Sequence, residues 1–220
     1  MKKAVCIISG GMDSALGAKI AQIEGYTVIG LHFNYGQRTE KKELNSFRRI
    51  SDKLGILEKY EIDLDFFKQI GASALIDSSL DIPVNGVEEG VPITYVPFRN
   101  GIFISIATAL AEKHGAEALF IGVVEEDSSG YPDCRDSYIK SMEQSINLGT
   151  KDETKLEIKM PLVHMQKSEI VVKSMTLNVP LKDTWSCYKN EAKACGVCDS
   201  CRLRLNGFKI AGVLDPIEYI

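Results

Sequence analysis

The feature that most restricts how this chain can fold is an alternation of short, almost wholly apolar runs with longer segments of helical spacing. Residues 4–8 (AVCII), 27–33 (TVIGLHF) and 119–124 (LFIGVV) read as strands, with a weaker candidate at 60–64 (YEIDL). Between them, 13–24 and 40–54 carry helix-compatible spacing, and 102–114 (IFISIATALAEKH) reads as a largely buried helix. Strands apolar on both faces and separated by helices belong to a parallel sheet covered on both sides, so the expected class is α/β with a doubly wound sheet.

Two loops stand out in that framework. Residues 77–97 (DSSLDIPVNGVEEGVPITYVP) are rich in proline, glycine and turn formers, and a loop of that length inside a compact domain is commonly functional. The polar run 125–134 (EEDSSGYPDC) follows the LFIGVV strand directly. Open parallel sheets bind ligands at the carboxyl ends of their strands, so this loop and the one after the first strand are placed to face a ligand.

The loop after the first strand is Ser9-Gly10-Gly11-Met12-Asp13-Ser14. Glycines allow close approach of backbone to a ligand, and free N–H groups at a helix start favour an anion, so a phosphate is the natural occupant. The pattern is not GxxxxGK[ST], because Asp13 stands where a lysine is required, and it is not GxGxxG. A turn with a simple Asp or Ser cap is the plain alternative.

Six cysteines in 220 residues with no evident secretory leader favour metal or catalysis over disulfides. Four of them, Cys187, Cys195, Cys198 and Cys201, are spaced C-x7-C-x2-C-x2-C. Two interlocked CxxC turns can aim three sulfurs at one point, and Cys187 can close a tetrahedron, which suits one structural zinc per chain. An iron–sulfur cluster is the rival, although the ferredoxin run has a fourth cysteine after three further residues, trailed by Pro, and here Cys201 is followed by Arg202-Leu203-Arg204 with no such cysteine. Cys6 reads as a small buried hydrophobe, and Cys134 as a packing or substrate-contact residue. The expected division is an α/β domain over 1–180 and a metal-binding segment over 181–220 packed on it.

The SGGxDS loop resembles the pyrophosphate loop of the N-type ATP pyrophosphatases. In those enzymes the loop amides and serines hold the leaving diphosphate, and the Asp accompanies Mg²⁺. Taken with VPFRNG at 96–101, YPDCR at 131–135, PLVHMQKSEIV at 161–171 and TWSCY at 184–188, the chain resembles, along essentially its whole length, the 7-cyano-7-deazaguanine synthases of the queuosine pathway. That resemblance implies the adenine-nucleotide-hydrolase-like form of the doubly wound fold. The implied reaction converts 7-carboxy-7-deazaguanine and ammonia to the nitrile, with ATP and Mg²⁺ as cosubstrate. It further implies zinc at the four cysteines, a homodimer, and a nucleotide-binding stretch of Ile8, Ser9, Gly10, Gly11, Met12, Asp13, Ser14, Ala15, Leu16, Gly17 and Ala18.

Asp13, Arg99 and Lys167 are the candidates for the catalytic step, the two cations steadying charge on phosphates. Either cation can instead be an ordinary surface charge. Phe98 and Tyr131 could stack on the base, and Asp133 could accept from its guanine-like edge, or simply form a turn beside Pro132. His32, His114 and His164 form no spaced ligand set.

The net charge of -4 gives no general footprint for nucleic acid, and no apolar run reaches the length of a membrane span, so small-molecule substrates and the cytoplasm are expected. A tRNA thiolase, an amidotransferase such as an NAD synthetase, and a non-enzymatic zinc module that binds nucleic acid or protein are the competing readings.

Overall fold

The computed structural model describes residues 2–84, 90–125 and 130–220. Five parallel strands form one sheet in the order β3-β2-β1-β4-β5. They are β1 (Lys3–Ile7), β2 (Thr27–Asn34), β3 (Glu58–Asp63), β4 (Ala118–Phe120) and β5 (Glu157–Lys159). The connections run through α1 (Met12–Ile23), α2 (Glu40–Lys53), the single-turn α3 (Phe67–Ile70), α4 (Arg99–His114) and α5 (Asp136–Gly149), and α6 (Lys167–Thr176) and α7 (Asp199–Ile210) follow.

Strand alternation builds two cores from one sheet. In β1, Val5 and Ile7 face a core with Leu31, Phe33, Phe103 and Ile104, while Ala4 and Cys6 face the opposite one with Leu16, Phe47 and Ile50. Both cores are built from buried apolar side chains, and α4 and α1 are accordingly apolar over most of their circumference. Cys6 is buried in the second core, and burial raises its thiol pKa well above the ordinary range.

The sequence reading of 119–124 as a strand is too long. Strand pairing stops at Phe120, because β1 pairs with β4 only through Ala118, Leu119 and Phe120 and then turns away into its loop. Ile121 keeps one hydrogen bond to the Lys159 carbonyl (3.1 Å), after which Gly122 passes against the start of α1. A Cβ on Gly122 would lie 2.8 Å from the Ser14 nitrogen, so glycine permits this crossing.

The strand order sets the position of the site. From β1 the chain winds outward through β2 and β3, then returns to the other side of β1 for β4 and β5. The reversal leaves a crevice outside the carboxyl ends of β1 and β4, where open α/β sheets bind ligands. Of the two long loops, 85–89 and 126–129 lie outside the described residues. No helix among the described residues is long and apolar enough to cross a membrane.

Candidate active site and metal centre

At that crevice lies a cleft of about 280 Å³. Its near wall is the loop between β1 and α1. Gly11 occupies the N-cap position of α1 and makes no side-chain cap, so the start of the helix, whose Met12, Asp13 and Ser14 line the cleft, leaves first-turn amides available to an anion. Ser9 and Ser14 cross-brace the loop, their hydroxyls 3.1 Å apart, and Ser14 Oγ also donates to the Gly11 carbonyl (3.0 Å). Gly10 has φ of +96°, and a Cβ there would lie 2.5 Å from the Glu43 carbonyl oxygen. On its other side, the Trp185 N–H donates to the Gly10 carbonyl (2.8 Å). The loop is therefore clamped between α2 and the C-terminal segment.

Of the expected nucleotide stretch, Ile8, Ser9, Gly11, Met12, Asp13 and Ser14 line the cleft. Gly10, Ala15, Leu16, Gly17 and Ala18 are not in its wall, and Ala15, Leu16 and Ala18 are fully buried in the core beneath it.

Two of the expected cations reach the cleft from opposite sides. Lys167 opens α6, whose start is held by a capping box between Gln166 and Glu169. Its Nζ donates to Asp13 Oδ2 (2.8 Å) and Oδ1 (3.1 Å). Arg99 opens α4 directly after Phe98, which takes a left-handed conformation at φ 54°. Its NH1 donates to the Tyr35 hydroxyl (3.0 Å), and the guanidinium sits over the Tyr35, Phe103 and Tyr131 rings at 5.4, 5.7 and 6.0 Å. Arg99 Nε is buried with no partner among the described residues.

The expected base-reading residues separate. Tyr131 is in the cleft wall, its hydroxyl donating to Thr94 Oγ1 (2.9 Å), and Cys134 lies beside it. Burial and the neighbouring Asp133 charge push the Cys134 thiol up to about 12, so it stays a neutral packing group. Asp133 lies behind the wall. Its Oδ2 accepts from the Asn100 N–H (2.9 Å), which caps α4, while Oδ1 is buried without a partner among the described residues. Phe98 is 51% exposed, outside the cleft lining, with its ring edge-on to Tyr138. His32 is buried, stacked on Phe47 with Nδ1 2.8 Å from the Ile8 carbonyl, and burial holds its pKa below the usual value.

Sequence reasoning missed a third ligand-facing turn, Tyr35 to Thr39, at the carboxyl end of β2. Its signal was available in the polar run YGQRT directly after an apolar strand. This turn delivers Tyr35, Gln37 and Thr39 to the cleft, together with Glu43 from the first turn of α2. Thr39 Oγ1 donates to Glu43 Oε1 (2.7 Å) and Gln37 Nε2 to Oε2 (3.3 Å). Burial nevertheless pushes the Glu43 carboxyl up to about 7, against the pull of Thr39, Gln37 and Arg99.

The four clustered cysteines converge, with their sulfurs all within 4.8 Å of one another. Thiolates ~2.3 Å from one tetrahedral metal lie about 3.8 Å apart, so the set fits an ion with a small contraction. Backbone N–H groups of Lys189, Asn190 and Cys195 point at Cys187 Sγ (3.4 Å each), and that of Cys198 at Cys195 Sγ (3.4 Å). Hydrogen bonding from the Cys198 and Cys201 side chains and from the Cys195 and Asn190 amides holds the Cys187 thiol below its ordinary range. Trp185, Ala74 and Ile82 pack with the cysteines, of which Cys195 alone is partly exposed. Arg204 of α7, 1% exposed, pairs bidentately with Asp215 (2.7 and 2.9 Å) and donates to Thr184 Oγ1 (2.8 Å), which ties α7 to the segment carrying Trp185.

The model of the family described as queuosine biosynthesis protein QueC matches residues 3–212. The 7-cyano-7-deazaguanine synthase of a Sulfurovum species is 74% identical over 99% of this chain and 98% of that protein. The enzyme of the same name from Sulfurimonas denitrificans is 68% identical over 100% and 98%. Among solved structures, NMN synthetase from Francisella tularensis aligns with a TM-score of 0.53 at 16% identity, covering 97% of this chain and 78% of that one. A predicted tRNA methyltransferase subunit from Methanocaldococcus jannaschii aligns with a TM-score of 0.52 at 18% identity, over 100% and 92%. These two likenesses establish the fold.

Proposed function

The chain belongs to the QueC family of queuosine biosynthesis, the 7-cyano-7-deazaguanine synthases, and from that membership we propose how its cleft carries out the reaction. The substrates are 7-carboxy-7-deazaguanine, ammonia and ATP, and the product is the nitrile. Membership in this family leaves the thiolase, amidotransferase and metal-module readings without support.

A carboxylate cannot expel hydroxide at neutral pH, so its oxygen must first be linked to phosphorus. Ammonia then displaces the activated oxygen to give the amide, and a second activation of the amide oxygen lets it leave to form the nitrile. One observation carries this assignment: the strand-loop-helix of β1, Ser9 to Ser14 and α1 lines, with the start of its helix, the same cleft as Lys167 and Arg99.

In this reading the loop amides with Ser9 and Ser14 hold the phosphates of ATP. Asp13 is the residue that would hold Mg²⁺, which supplies charge neutralisation on the phosphates when bound. Lys167 and Arg99 then face charge that develops on phosphate and carboxyl oxygens, where preorganised cations lower the barrier without reorganising. Tyr131 offers a ring face to the deazaguanine. Asp133 bears on the site through α4, whose first turn it caps, and Phe98 through the left-handed turn that starts that helix.

The four-cysteine centre holds zinc as a structural ion, since four thiolates leave no open coordination position. The protein acts as a homodimer in the cytoplasm on small molecules and not on nucleic acid. Incubation of the zinc-loaded protein with Mg·ATP, ammonium and 7-carboxy-7-deazaguanine, followed by mass spectrometry, tests the assignment. Nitrile formation that Asp13→Asn abolishes is the expected result, and an unchanged carboxylate in the presence of bound ATP would refute it.

A further inference from the structure

Glu43 is a carboxylate in the cleft wall that none of the roles above uses. We propose that it is the general base of nitrogen transfer, taking a proton from the ammonia-derived nitrogen as that atom bonds to the activated carboxyl carbon. The proposal rests on the nitrile-forming reading and adds a residue to it.

Three features support it. The first is position, since Glu43 lines the same cleft as Ser9, Asp13 and Arg99, and its own carbonyl oxygen abuts Gly10 of the phosphate loop. The place of the Glu43 backbone against that loop is thereby set by packing.

The second is orientation. Thr39 and Gln37 occupy one acceptor site on each carboxylate oxygen, which leaves further lone pairs for a donor. Asp13, another carboxylate in the cleft, is engaged by Lys167 at 2.8 Å and is the poorer acceptor for a nitrogen.

The third is chemical match. Arg99 on α4 draws the Glu43 carboxyl down and Glu40, one turn earlier on α2, pushes it up, while burial outweighs both. A carboxyl near neutrality both accepts and releases a proton at working pH.

The steps balance as follows. The lone pair of ammonia forms the C–N bond, and the carbonyl π pair moves to oxygen. The nitrogen, now positive, passes a proton to a Glu43 oxygen. The carbonyl re-forms as the bond from carbon to the phosphorylated oxygen breaks, and that electron pair leaves with the nucleotide or phosphate. Glu43 then loses its proton to solvent. Activation of the amide oxygen leaves a C=NH2 cation, which passes one proton to Glu43, and Glu43 releases it to solvent. The remaining N–H of the resulting imidate then gives its proton to Glu43, its electron pair completes the C–N triple bond, and the C–O pair leaves with the second phosphate group.

Rapid-quench single-turnover runs on zinc-loaded wild type, Glu43→Gln and Glu43→Asp test this, using Mg·ATP and 7-carboxy-7-deazaguanine without and with ammonium. ATP cleavage before ammonium reads activation, and the amide is read by mass spectrometry. Glu43→Gln is expected to cleave ATP as wild type does while its amide formation falls by ~10²–10⁴-fold. Amide formation within threefold of wild type overturns the proposal, as does loss of activation together with amide formation, which would place Glu43 in the nucleotide site. Should Glu43→Gln lack a melting transition, the pH profile of amide formation decides. A displaced midpoint in Glu43→Asp supports the base, and profiles that coincide with wild type overturn it. Absence of amide from the wild type itself would instead defeat the functional reading.

Discussion

Lys167 Nζ stands 2.8 Å from Asp13 Oδ2, so the start of α6 is joined to the start of α1 by a charge pair at the wall of the cleft. The two side chains are 15% and 29% exposed, buried enough for the pair to be screened little by salt and open enough for a ligand to reach both. A polyphosphate at the Ser9 to Ser14 loop would draw the ammonium toward itself and free the carboxylate for a divalent cation. Under the proposed function the ion pair is thus a resting arrangement of two groups with separate tasks.

Replacing Lys167 by Met is expected to lower kcat by ~10²–10³, as removal of one preorganised charge donor does. The side chain packs on Gly207, where a Cβ would lie 2.6 Å from Lys167 Cγ, and Met retains much of that stem. Steady-state kinetics with varied ATP checks this, and an unchanged kcat would remove Lys167 from the reaction.

Stripping the metal should unfasten the phosphate loop. Trp185 is the single tryptophan of the chain, it packs among the metal-site cysteines, and its N–H holds the Gly10 carbonyl. Chelation or Cys201→Ser is expected to red-shift tryptophan emission, lower Tm, and weaken ATP binding at least tenfold by calorimetry. A structural metal confined to its own segment would leave ATP affinity intact.

Glu43 gives stability a pH dependence whose sign follows from its raised pKa. Between its ordinary value of 4.5 and about 7 the folded chain holds a proton that the unfolded chain has released, so stability falls as pH rises across that window. Glutamine cannot ionise. The Tm of Glu43→Gln relative to wild type is therefore expected to climb from pH 5 to pH 8 in scanning calorimetry, and a constant difference would contradict the assigned shift.

Gly10→Ala combines an unfavourable positive φ with a Cβ 2.5 Å from the Glu43 carbonyl oxygen. Backbone, and not a flexible side chain, must give way. A Tm lower by about 5–10 °C is expected, together with loss of ATP binding. Gly17→Ala, where an added Cβ meets nothing within 4 Å, should keep the wild-type Tm or exceed it.

The parts of the molecule that were legible beforehand are those whose signal is local. β1 and β2 announce themselves through unbroken apolar runs, and the loop and the four cysteines through fixed spacing over a few residues. β5 has three residues and no pattern of its own, existing because β4 offers it an edge. In α5 only Ile139 and Ile146 are buried, too sparse a stripe to read, whereas the QxxE box of Gln166 and Glu169 was a usable start signal for α6. Lys167 and Arg99 were recognisable as unusual cations, but their opposition across one cleft is a product of the strand order. Glu43 escaped notice because its character comes from burial and from Gly10, neither of which its neighbours in sequence disclose. Phe98 and Asp133 fall outside the cleft wall for a related reason. The first turn of α4 needed a cap and a left-handed entry, and these two residues supply them.

The hydrogen bond from Trp185 to Gly10 also orders events in time. On a ribosome the phosphate loop is made long before residue 185, so it spends most of synthesis without the clamp that shapes it. Under the proposed function, competence for nucleotide would arrive late, once the cysteine segment had emerged and closed around an ion. Metal supply during translation would then govern how much of the newly made protein can engage ATP at all.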